Sequence, residues 1–329
     1  MNEPRATILV TGGAGYIGSH TALALKERGY RPIVLDNLSR GHREIVEDKL
    51  AIPFIEGDTR DHALLDALFA RERIAAVMHF AAFMEVGESV AHPLRFYDNN
   101  VYGTVTLLEA MAKAGVDKFV FSSTAATYGE PRTTPIPEDH PQAPINPYGR
   151  SKLMVEQLLA DCDRAHGLRS VIFRYFNAAG AHPSVAIGEH HEPETHLLPL
   201  ILHAALGLRP AIRVFGADYP TPDGTCIRDY IHVCDLADAH VLGLEYLLAG
   251  RESAAFNLGS GRGFSVKEVI EAARRVSGRD IPVETAPRRA GDPPVLVGSS
   301  DKARRVLGWK PRYEDLDTIV GHAWAWHAR

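Results

Sequence analysis

Apolar runs and amphipathic segments alternate along the first half of the chain. The runs are short and rich in β-branched residues, as in the TILV of residues 7–10, and they predict strands over residues 6–10, 31–35, 52–55, 75–80, 118–122 and 170–174. Helical periodicity marks the intervening residues 17–28, 63–71, 93–113 and 147–166. Strands and helices that alternate in this way indicate an α/β fold with a doubly wound parallel sheet.

The pattern changes after about residue 178. Glycine and proline become frequent, the apolar runs shorten, and helices predicted over residues 235–248 and 266–276 are separated by loops. We therefore predict a first domain over residues 1–178 and a smaller C-terminal α/β domain over residues 179–329 that binds the substrate. Within the second half, a stretch of about residues 228–258 is expected to return to the first domain.

Composition limits the classes of partner. The 329 residues are 45% hydrophobic and 23% charged, with a formal net charge of -5 and no block of Lys or Arg, so neither nucleic acid nor a membrane is expected as a partner. Cys162, Cys226 and Cys234 show no CxxC spacing, which is typical of free thiols in a reducing compartment. Without a signal-peptide pattern or a long apolar run, a cytoplasmic location is expected.

A glycine-rich turn follows the first predicted strand. In TILVTGGAGYIGSH, Gly12, Gly15 and Gly18 stand three residues apart, directly before a predicted helix. Such glycines permit a tight turn and close approach to a pyrophosphate, which the free N–H groups of the helix start then bind. Asp36 ends the next strand, where a carboxylate bonds ribose hydroxyls and repels a 2′-phosphate. The pattern predicts a Rossmann-type sheet that binds NAD rather than NADP, while Asp58 can either hold the adenine or cap the next helix.

The segment NPYGRSKLMVEQ places a phenol and an ammonium one helical turn apart. Asn146 suits the N-cap and Pro147 the first helical position, so Tyr148 and Lys152 share one face. An ammonium about 4 Å away, at an effective dielectric of about 20, lowers the pKa of a phenol by about three pH units. We therefore expect Tyr148 to exchange a proton with a substrate hydroxyl while a C–H hydride passes to NAD.

Several segments, in their order and spacing, resemble the extended short-chain dehydrogenase/reductase family: TGGAGYIG, HFAA, YDNNV, FSSTAATYG, NPYGRSK and RYFNAAGAHP. Later segments extend the resemblance over essentially the full length and narrow it to the nucleotide-sugar epimerases: FGADYPTPDGTCIRDYIHVCDLADAH, AFNLGSGRGFSV and PRRAGDPP. The resemblance implies reversible NAD-dependent oxidation at C4 of a UDP-sugar, rotation of the 4-keto sugar and return of the hydride. UDP-glucose and UDP-galactose are the expected pair.

The resemblance also implies roles for individual residues. Thr124 is expected to bond the sugar 4-hydroxyl, Tyr148 to act as base and acid, and Lys152 to set the pKa of Tyr148 and to bond the nicotinamide ribose. The residues expected to bind NAD are Gly12, Gly15, Tyr16, Ile17, Gly18, Asp36, Asn37, Asp58, Thr59, Phe80, Ala81, Ala82, Asn99, Ser122, Tyr148, Lys152, Tyr175 and Phe176. The residues expected to bind the UDP-sugar are Thr124, Tyr148, Asn177, His196, Leu197, Arg213, Val214, Phe215, Arg228, Arg289, Asp292 and Leu296. A homodimer built through helices such as 93–113 and 147–166 is expected as well.

Three positions depart from the family pattern. Met84 stands where some relatives have a lysine near the NAD phosphates, and His196 stands where an asparagine is familiar. Leu296 replaces a tyrosine that restricts the sugar pocket in some relatives, so acceptance of N-acetylated sugars is left open.

Other functions compete with this one. A 4,6-dehydratase needs an acid and a base where Ala125 and Ala126 stand, and Asp36 opposes an NADP-dependent reductase. Epimerases of UDP-xylose and UDP-arabinose, UDP-glucuronate or UDP-N-acetylglucosamine remain alternatives, as does a non-catalytic NAD-binding protein.

The segment GEHHEPETH is rich in potential metal ligands: His190, His191, Glu192, Glu194 and His196. The spacing of five between His191 and His196, with Pro193 between them, does not match a helical zinc motif. A polar surface loop without a metal is therefore expected.

Overall fold

The computed structural model describes residues 4–289 and 293–329. All six predicted strands are present, with ends that differ from the predicted ones by at most two residues. In chain order the strands are β1 Thr7–Thr11, β2 Arg31–Asp36, β3 Phe54–Glu56, β4 Ile74–His79, β5 Lys118–Ser122, β6 Arg169–Tyr175, β7 Asn177–Ala179, β8 Ile212–Phe215, β9 Ile227–Arg228, β10 Tyr230–His232, β11 Ala254–Leu258, β12 Phe264–Ser265, β13 Val283–Ala286 and β14 Val295–Leu296.

Helices connect these strands. They are α1 Tyr16–Glu27, α2 His62–Arg71, α3 Val86–Ala91, α4 Pro93–Phe96, α5 Gly103–Ala114, α6 Pro147–His166, α7 Leu197–Ala205, α8 Val233–Leu248, α9 Val266–Ser277, α10 Asp301–Leu307 and α11 Leu316–His327. Two π-helical segments, Ile45–Lys49 and Tyr97–Tyr102, and a 3-10 turn, Ala125–Thr127, complete the set. Within residues 4–289 and 293–329, none of the helices combines the length and apolarity needed to cross a membrane.

Seven strands form one parallel sheet in the order β11-β6-β5-β4-β1-β2-β3. The chain order reverses between β1 and β4, so the connections run over opposite faces and a crevice opens at the carboxyl ends of these two strands. This topology confirms the predicted doubly wound, Rossmann-type α/β fold. The last strand of the sheet, β11, comes from the second half of the chain and pairs with β6.

Alternate residues of β1 pack into different cores because successive side chains of a strand point to opposite faces. Ile8 and Val10 pack in the core that also contains Leu244 of α8, whereas Leu9 packs in the core that contains Leu107 of α5. Burial on both faces accounts for the continuous apolar runs of the sequence. A further core joins α7, α9 and α11 with β8 and lies wholly within the second half.

One helix differs from its prediction. The sequence predicts a single helix over residues 93–113, but α4 and α5 are separated by the π-helical segment Tyr97–Tyr102. The wider turn holds Asn100 where its Nδ2 donates to Phe83 O at 3.0 Å and to Ser151 Oγ at 3.1 Å, and where its Oδ1 accepts from Phe83 N. This segment therefore ties the chain after β4 to α6, a contact that helical periodicity does not predict.

Candidate active site

A cavity of about 1050 Å³ opens at the carboxyl ends of the central strands. Its wall combines strand ends of the parallel sheet with loops of the second half. Every residue predicted to bind the cofactor lies in this wall. Of the residues predicted to bind the substrate, those that line it are Thr124, Tyr148, Asn177, His196, Leu197, Arg228, Arg289 and Leu296.

The glycine-rich turn forms one end of the cavity. Gly12 has a φ of 72°, and a Cβ there would lie 2.4 Å from Ala81 N. A Cβ on Gly18 would lie 2.2 Å from Gly12 O, so both glycines are required by the close packing of the turn itself. Gly15 is different, because a Cβ there would come no nearer than 3.4 Å to protein and would stand at the cavity wall. Its small size leaves the first N–H groups of α1 open to the cavity, which fits a diphosphate.

The carboxylate of Asp36 is held at the end of β2. Its Oδ2 accepts from Ala14 N at 3.0 Å and its Oδ1 from Leu38 N at 2.8 Å. Burial raises the pKa of Asp36, and these two N–H groups oppose that shift. Arg40 also lines the cavity, but its Nε donates to Glu85 Oε1 at 2.8 Å. A fixed carboxylate with the nearby guanidinium already paired fits the ribose of NAD better than a 2′-phosphate.

Asp58 lies beside this position. It accepts from Asn37 Nδ2 at 2.8 Å, and its contacts with Arg60 lower its pKa to about 2. The N-cap of α2 is Asp61, whose side chain accepts from Leu64 N, so Asp58 does not cap that helix. The side chain of Asp58 thus remains a carboxylate at the cavity wall.

The start of α6 is organised as the sequence predicts. Asn146 caps the helix by accepting from Gly149 N at 2.8 Å, and Pro147 is its first residue. This arrangement places Tyr148 beside Thr124, which follows β5 and hydrogen-bonds to the phenol. Thr124 Oγ1 also accepts from Ala126 N at 3.1 Å, which leaves its hydroxyl proton available for the phenolic oxygen. A hydroxyl pair of this kind suits proton exchange with an alcohol.

The predicted effect of Lys152 on Tyr148 was wrong. Burial raises the pKa of Tyr148 to about 12, while the hydrogen bond from Thr124 lowers it and Glu85 raises it. Lys152 is directed elsewhere, because its Nζ donates to Ser122 O at 2.8 Å. Burial also lowers the pKa of Lys152 to about 7, with Glu156 opposing the shift. The two side chains share a helix face, but burial is the largest cause of both pKa shifts.

The second half supplies cations and polar groups at the far end of the cavity. Arg228 Nη1 donates to Pro293 O at 2.9 Å, and the guanidinium of Arg289 lies 3.9 Å from the centroid of the Phe215 ring. Asn177 Nδ2 donates to Asp229 O at 2.9 Å. These contacts hold two guanidinium groups at the cavity wall, where they can bind phosphate oxygens.

The structure does not bring every predicted substrate residue to the cavity wall. Arg213 is exposed and its Nε lies 3.3 Å from Glu284 Oε2, while Val214 is buried in the core of the second half. Neither lines the cavity: successive residues of β8 point to opposite faces, and here one face is turned to solvent and the other to that core. Phe215 lies beneath Arg289 rather than in the wall, and Asp292 lies outside the described residues.

The predicted polar surface loop is only partly at the surface. The side chains of His190 and Glu192 are 50% and 90% exposed, whereas those of Glu189 and His191 are 3% and 8% exposed. Although burial opposes the shift, Glu189 and Glu194 raise the pKa of His191 to about 9. Likewise, the neighbouring histidines lower the pKa of Glu189 to about 2 against the effect of burial.

Sequence reasoning missed several residues of the cavity wall. Arg40, Glu85, Val86, His191 and Thr195 line the cavity. None of them was predicted to bind the cofactor or the substrate, and the segment with His191 and Thr195 was expected to be a surface loop. Glu85 and Val86 follow β4 at the carboxyl edge of the sheet, which is the one signal that could have identified them. His191 and Thr195 lie in the loop before α7, and they line the cavity because of the path that this loop takes, for which the sequence gives no signal.

Comparisons with known proteins agree with this geometry. A sequence profile of the NAD dependent epimerase/dehydratase family matches residues 8–259. A UDP-glucose 4-epimerase of Rhizobium leguminosarum bv. trifolii is 59% identical over 323 residues, 98% of this chain and 98% of that protein. The crystal structure of UDP-glucose 4-epimerase from Brucella ovis in complex with NAD has a TM-score of 0.94 at 49% identity, covering 97% of this chain and 98% of the other. The UDP-Glc/GlcNAc 4-epimerase from Campylobacter jejuni has a TM-score of 0.87, also at 49% identity, covering 98% of this chain and 99% of the other.

The lowered pKa of Lys152 predicts a pH-dependent contribution to stability. The folded protein releases this proton near pH 7, whereas an unfolded lysine keeps it to about pH 10.4. Between these values the unfolded chain binds more protons, so the stability of the wild type relative to Lys152→Met rises with pH, by up to about 1.4 kcal/mol per pH unit. Tyr148 does not oppose this below about pH 10, because its folded pKa is about 12.

The measurement is urea denaturation of nucleotide-free protein between pH 7.5 and 9.5. Lys113→Met serves as the control, because Lys113 is 60% exposed in a surface pair with Asp66. For this control, the free energy of unfolding plotted against pH should run parallel to that of the wild type. A parallel plot for Lys152→Met as well would contradict the lowered pKa of Lys152.

Proposed function

The chain belongs to the NAD dependent epimerase/dehydratase family, and on that premise we propose that it is an NAD-dependent isomerase that interconverts UDP-glucose and UDP-galactose. The observation that carries the proposal is one cavity with the Thr124–Tyr148 pair between a dinucleotide-type turn and two arginines. The relatives named UDP-glucose 4-epimerase support the substrate assignment.

The first half of the chain holds the cofactor in this proposal. The N–H groups at the start of α1 bind its diphosphate, and Asp36 bonds the adenosine ribose. Lys152, fixed to the Ser122 carbonyl, lies where it can bond the nicotinamide ribose. Bound NAD would supply the acceptor and donor of the hydride exchanged with sugar C4, and its positive charge would favour the tyrosinate form of Tyr148.

Proton transfer is assigned to Tyr148. Its phenolic oxygen takes the proton of the sugar 4-hydroxyl during oxidation and returns it during reduction. Thr124 donates to the same oxygen, which stabilises the tyrosinate form, and orients the sugar hydroxyl. The net reaction inverts C4 and leaves no redox change.

Inversion requires a firm hold on the nucleotide and room around the sugar. Arg228 and Arg289 supply bidentate donors for the diphosphate, with Asn177 nearby. A cavity of about 1050 Å³ leaves space for the sugar to turn while the diphosphate stays bound. A dehydratase is disfavoured, because the 3-10 turn after Thr124 presents Ala125 and Ala126 instead of an acid and a base.

The two domains have different proposed roles. We assign cofactor binding mainly to residues 1–178 and UDP-sugar binding mainly to residues 179–329, with about 228–258 packing on the first domain through β11. A cytoplasmic location completes the proposal. The three free cysteines support it, because unpaired thiols suit a reducing compartment.

The main test is conversion of UDP-galactose to UDP-glucose by purified NAD-containing protein, followed by separation of the two sugar nucleotides. We expect Tyr148→Phe to lower turnover by about 10³-fold with NAD still bound, because it removes the proton carrier. Tyr246→Phe is the matched control, since Tyr246 packs against Phe256 and does not line the cavity. Wild-type protein that binds NAD without converting either sugar would reject this substrate pair and send the search to the other UDP-sugars.

A second candidate substrate is UDP-N-acetylglucosamine. Leu296 lines the cavity, and the UDP-Glc/GlcNAc 4-epimerase from Campylobacter jejuni is 49% identical to this chain. Leucine occupies less space than tyrosine, so Leu296→Tyr should narrow the cavity beside the sugar. We expect turnover of the N-acetylated substrate to fall by about 10- to 200-fold, the range that steric fit supplies, and turnover of UDP-glucose to stay within about threefold of the wild type. Wild-type turnover of UDP-N-acetylglucosamine below about one hundredth of the UDP-glucose rate would end this candidate.

A homodimer is also proposed. Leu94, Tyr102 and Met154 are 81%, 46% and 48% exposed on α4, the adjoining π-helical segment and α6, which pack together. Large apolar residues exposed together on packed helices indicate a subunit interface. Sedimentation of the wild type should show a dimer, and the double substitution Leu94→Glu, Met154→Glu should convert it to a monomer. Leu208→Glu is the control: Leu208 is 72% exposed but lies outside these helices, so this variant should stay dimeric. A monomeric wild type would refute the interface.

A further inference from the structure

We propose that Glu189, His191, Glu194 and His196 form a site for one divalent transition metal ion of the zinc class. The site lies in the loop that precedes α7, and His191 and His196 also line the large cavity. The inference concerns the stability of this wall and does not depend on which sugar the protein converts.

The spacing of the four side chains matches a four-coordinate ion. One ligand atom from each residue lies within 4.8 Å of all the others. His191 Nδ1 is 3.4 Å from Glu189 Oε1 and 3.7 Å from Glu194 Oε2, and His196 Nδ1 is 3.9 Å from Glu194 Oε1. His196 Nδ1 is also hydrogen-bonded directly to Glu189 Oε1, a contact that an ion would replace. Ligands of a tetrahedral zinc ion with bonds of about 2.0–2.1 Å are about 3.3 Å apart, so small movements complete the geometry.

His191 gives an independent indication of a ligand. Its side chain is only 8% exposed, and its Nδ1 points toward the two carboxylates. Among the residues that the structure describes, this buried nitrogen has no hydrogen-bond partner of acceptable geometry. A buried nitrogen that faces two carboxylates without a well-formed hydrogen bond is costly, and coordination of a metal ion would satisfy it.

The charge of the cluster also favours a cation. The side chains of Glu189 and Glu194 are 3% and 6% exposed, and both carboxylates form ion pairs with His191 and His196. Two buried carboxylates need two positive charges close by. One divalent ion supplies both charges and leaves the imidazoles neutral, the form in which histidine binds metals.

The donor set selects the kind of ion. Two imidazole nitrogens and two carboxylate oxygens suit zinc or a neighbouring transition metal, whereas calcium and magnesium prefer oxygen ligands in higher coordination.

Contacts around the cluster orient its ligands. Glu194 Oε1 accepts from the N–H groups of Thr195 and His196 at 2.7 and 2.8 Å, which leaves Oε2 directed at His191. The backbone oxygen of Glu189 accepts from Trp326 Nε1 at 2.8 Å, which attaches the loop to α11. Such surrounding hydrogen bonds fix ligand geometry at metal sites.

A metal ion here would hold the cavity wall in place. It would join both ends of the loop, from Glu189 to the N-cap of α7 at His196. Coordination through Nδ1 leaves the Nε2 of His196 free to donate to a ligand in the cavity. The ion would therefore act on the shape of the site and need not take part in proton transfer.

The test uses the full-length, NAD-containing protein, treated with a chelator and then dialysed. Zinc titration by calorimetry, with elemental analysis after removal of free metal, should give one zinc per chain for the wild type. Glu189→Gln and His191→Ala should each weaken binding by about a hundredfold or more. His190→Ala is the matched control, because His190 is in the same loop but 50% exposed and outside the cluster, and it should bind zinc like the wild type.

Cobalt provides a second readout. Bound Co²⁺ should show the visible absorption of a four-coordinate site in the wild type and in His190→Ala, and lose it in the ligand variants. Wild-type protein that binds no zinc would overturn the proposal, and so would equal binding by all variants. Circular dichroism checks each fold, and Glu194→Gln replaces any ligand variant that does not fold.

Discussion

A buried ion pair between Arg174 and Glu156 joins the helix of the active site to the sheet. Arg174 Nη2 lies 2.6 Å from Glu156 Oε2, and the two side chains are 8% and 5% exposed. Ser123 donates to Glu156, and Arg174 Nη1 donates to Tyr128 OH at 2.9 Å. Breaking a pair buried to this degree costs about 3–5 kcal/mol, because one charge is left without compensation. Arg174 and Glu156, together with Ser123 and Tyr128, therefore form one bonded unit.

This unit determines where the groups proposed to transfer the proton stand. Glu156 lies two turns after Tyr148 on the same face of α6, with Lys152 between them. Ser123, which bonds Glu156, directly precedes Thr124. The ion pair therefore sets the position of α6 relative to the end of β5, and with it the distance between the threonine and tyrosine hydroxyls. Strand ends and a capped helix give this part of the cavity its fixed geometry.

The opposite end of the cavity is built differently. Arg228 and Arg289 are held by a backbone carbonyl and an aromatic ring, and His196 stands at the end of a loop. These contacts are local and depend on loops of the second half rather than on the parallel sheet. The groups proposed for proton transfer and those proposed to bind the UDP-sugar thus depend on different parts of the structure.

Local patterns predicted much of the fold and part of the candidate site. The strands, α1 with its glycine turn, and the capped start of α6 follow from residues close together in sequence, because hydrogen bonds and periodicity there involve near neighbours. Asp36 belongs with them, since the end of a predicted strand places it. The π-helical segment was missed because its cause, the bonding of Asn100 to Phe83 and Ser151, joins distant parts of the chain.

By itself, the sequence determined the Rossmann-type sheet, the turn suited to a dinucleotide, and the helix that carries Tyr148 and Lys152. Only the tertiary structure decided the pKa values of these two groups, because desolvation depends on everything packed around them. It also decided that Arg213 faces solvent and that His191 turns inward toward Glu189. The types and spacing of side chains indicate which reactions the protein could support. Burial and the path of the loops determine which of these side chains contact one another and what their pKa values are.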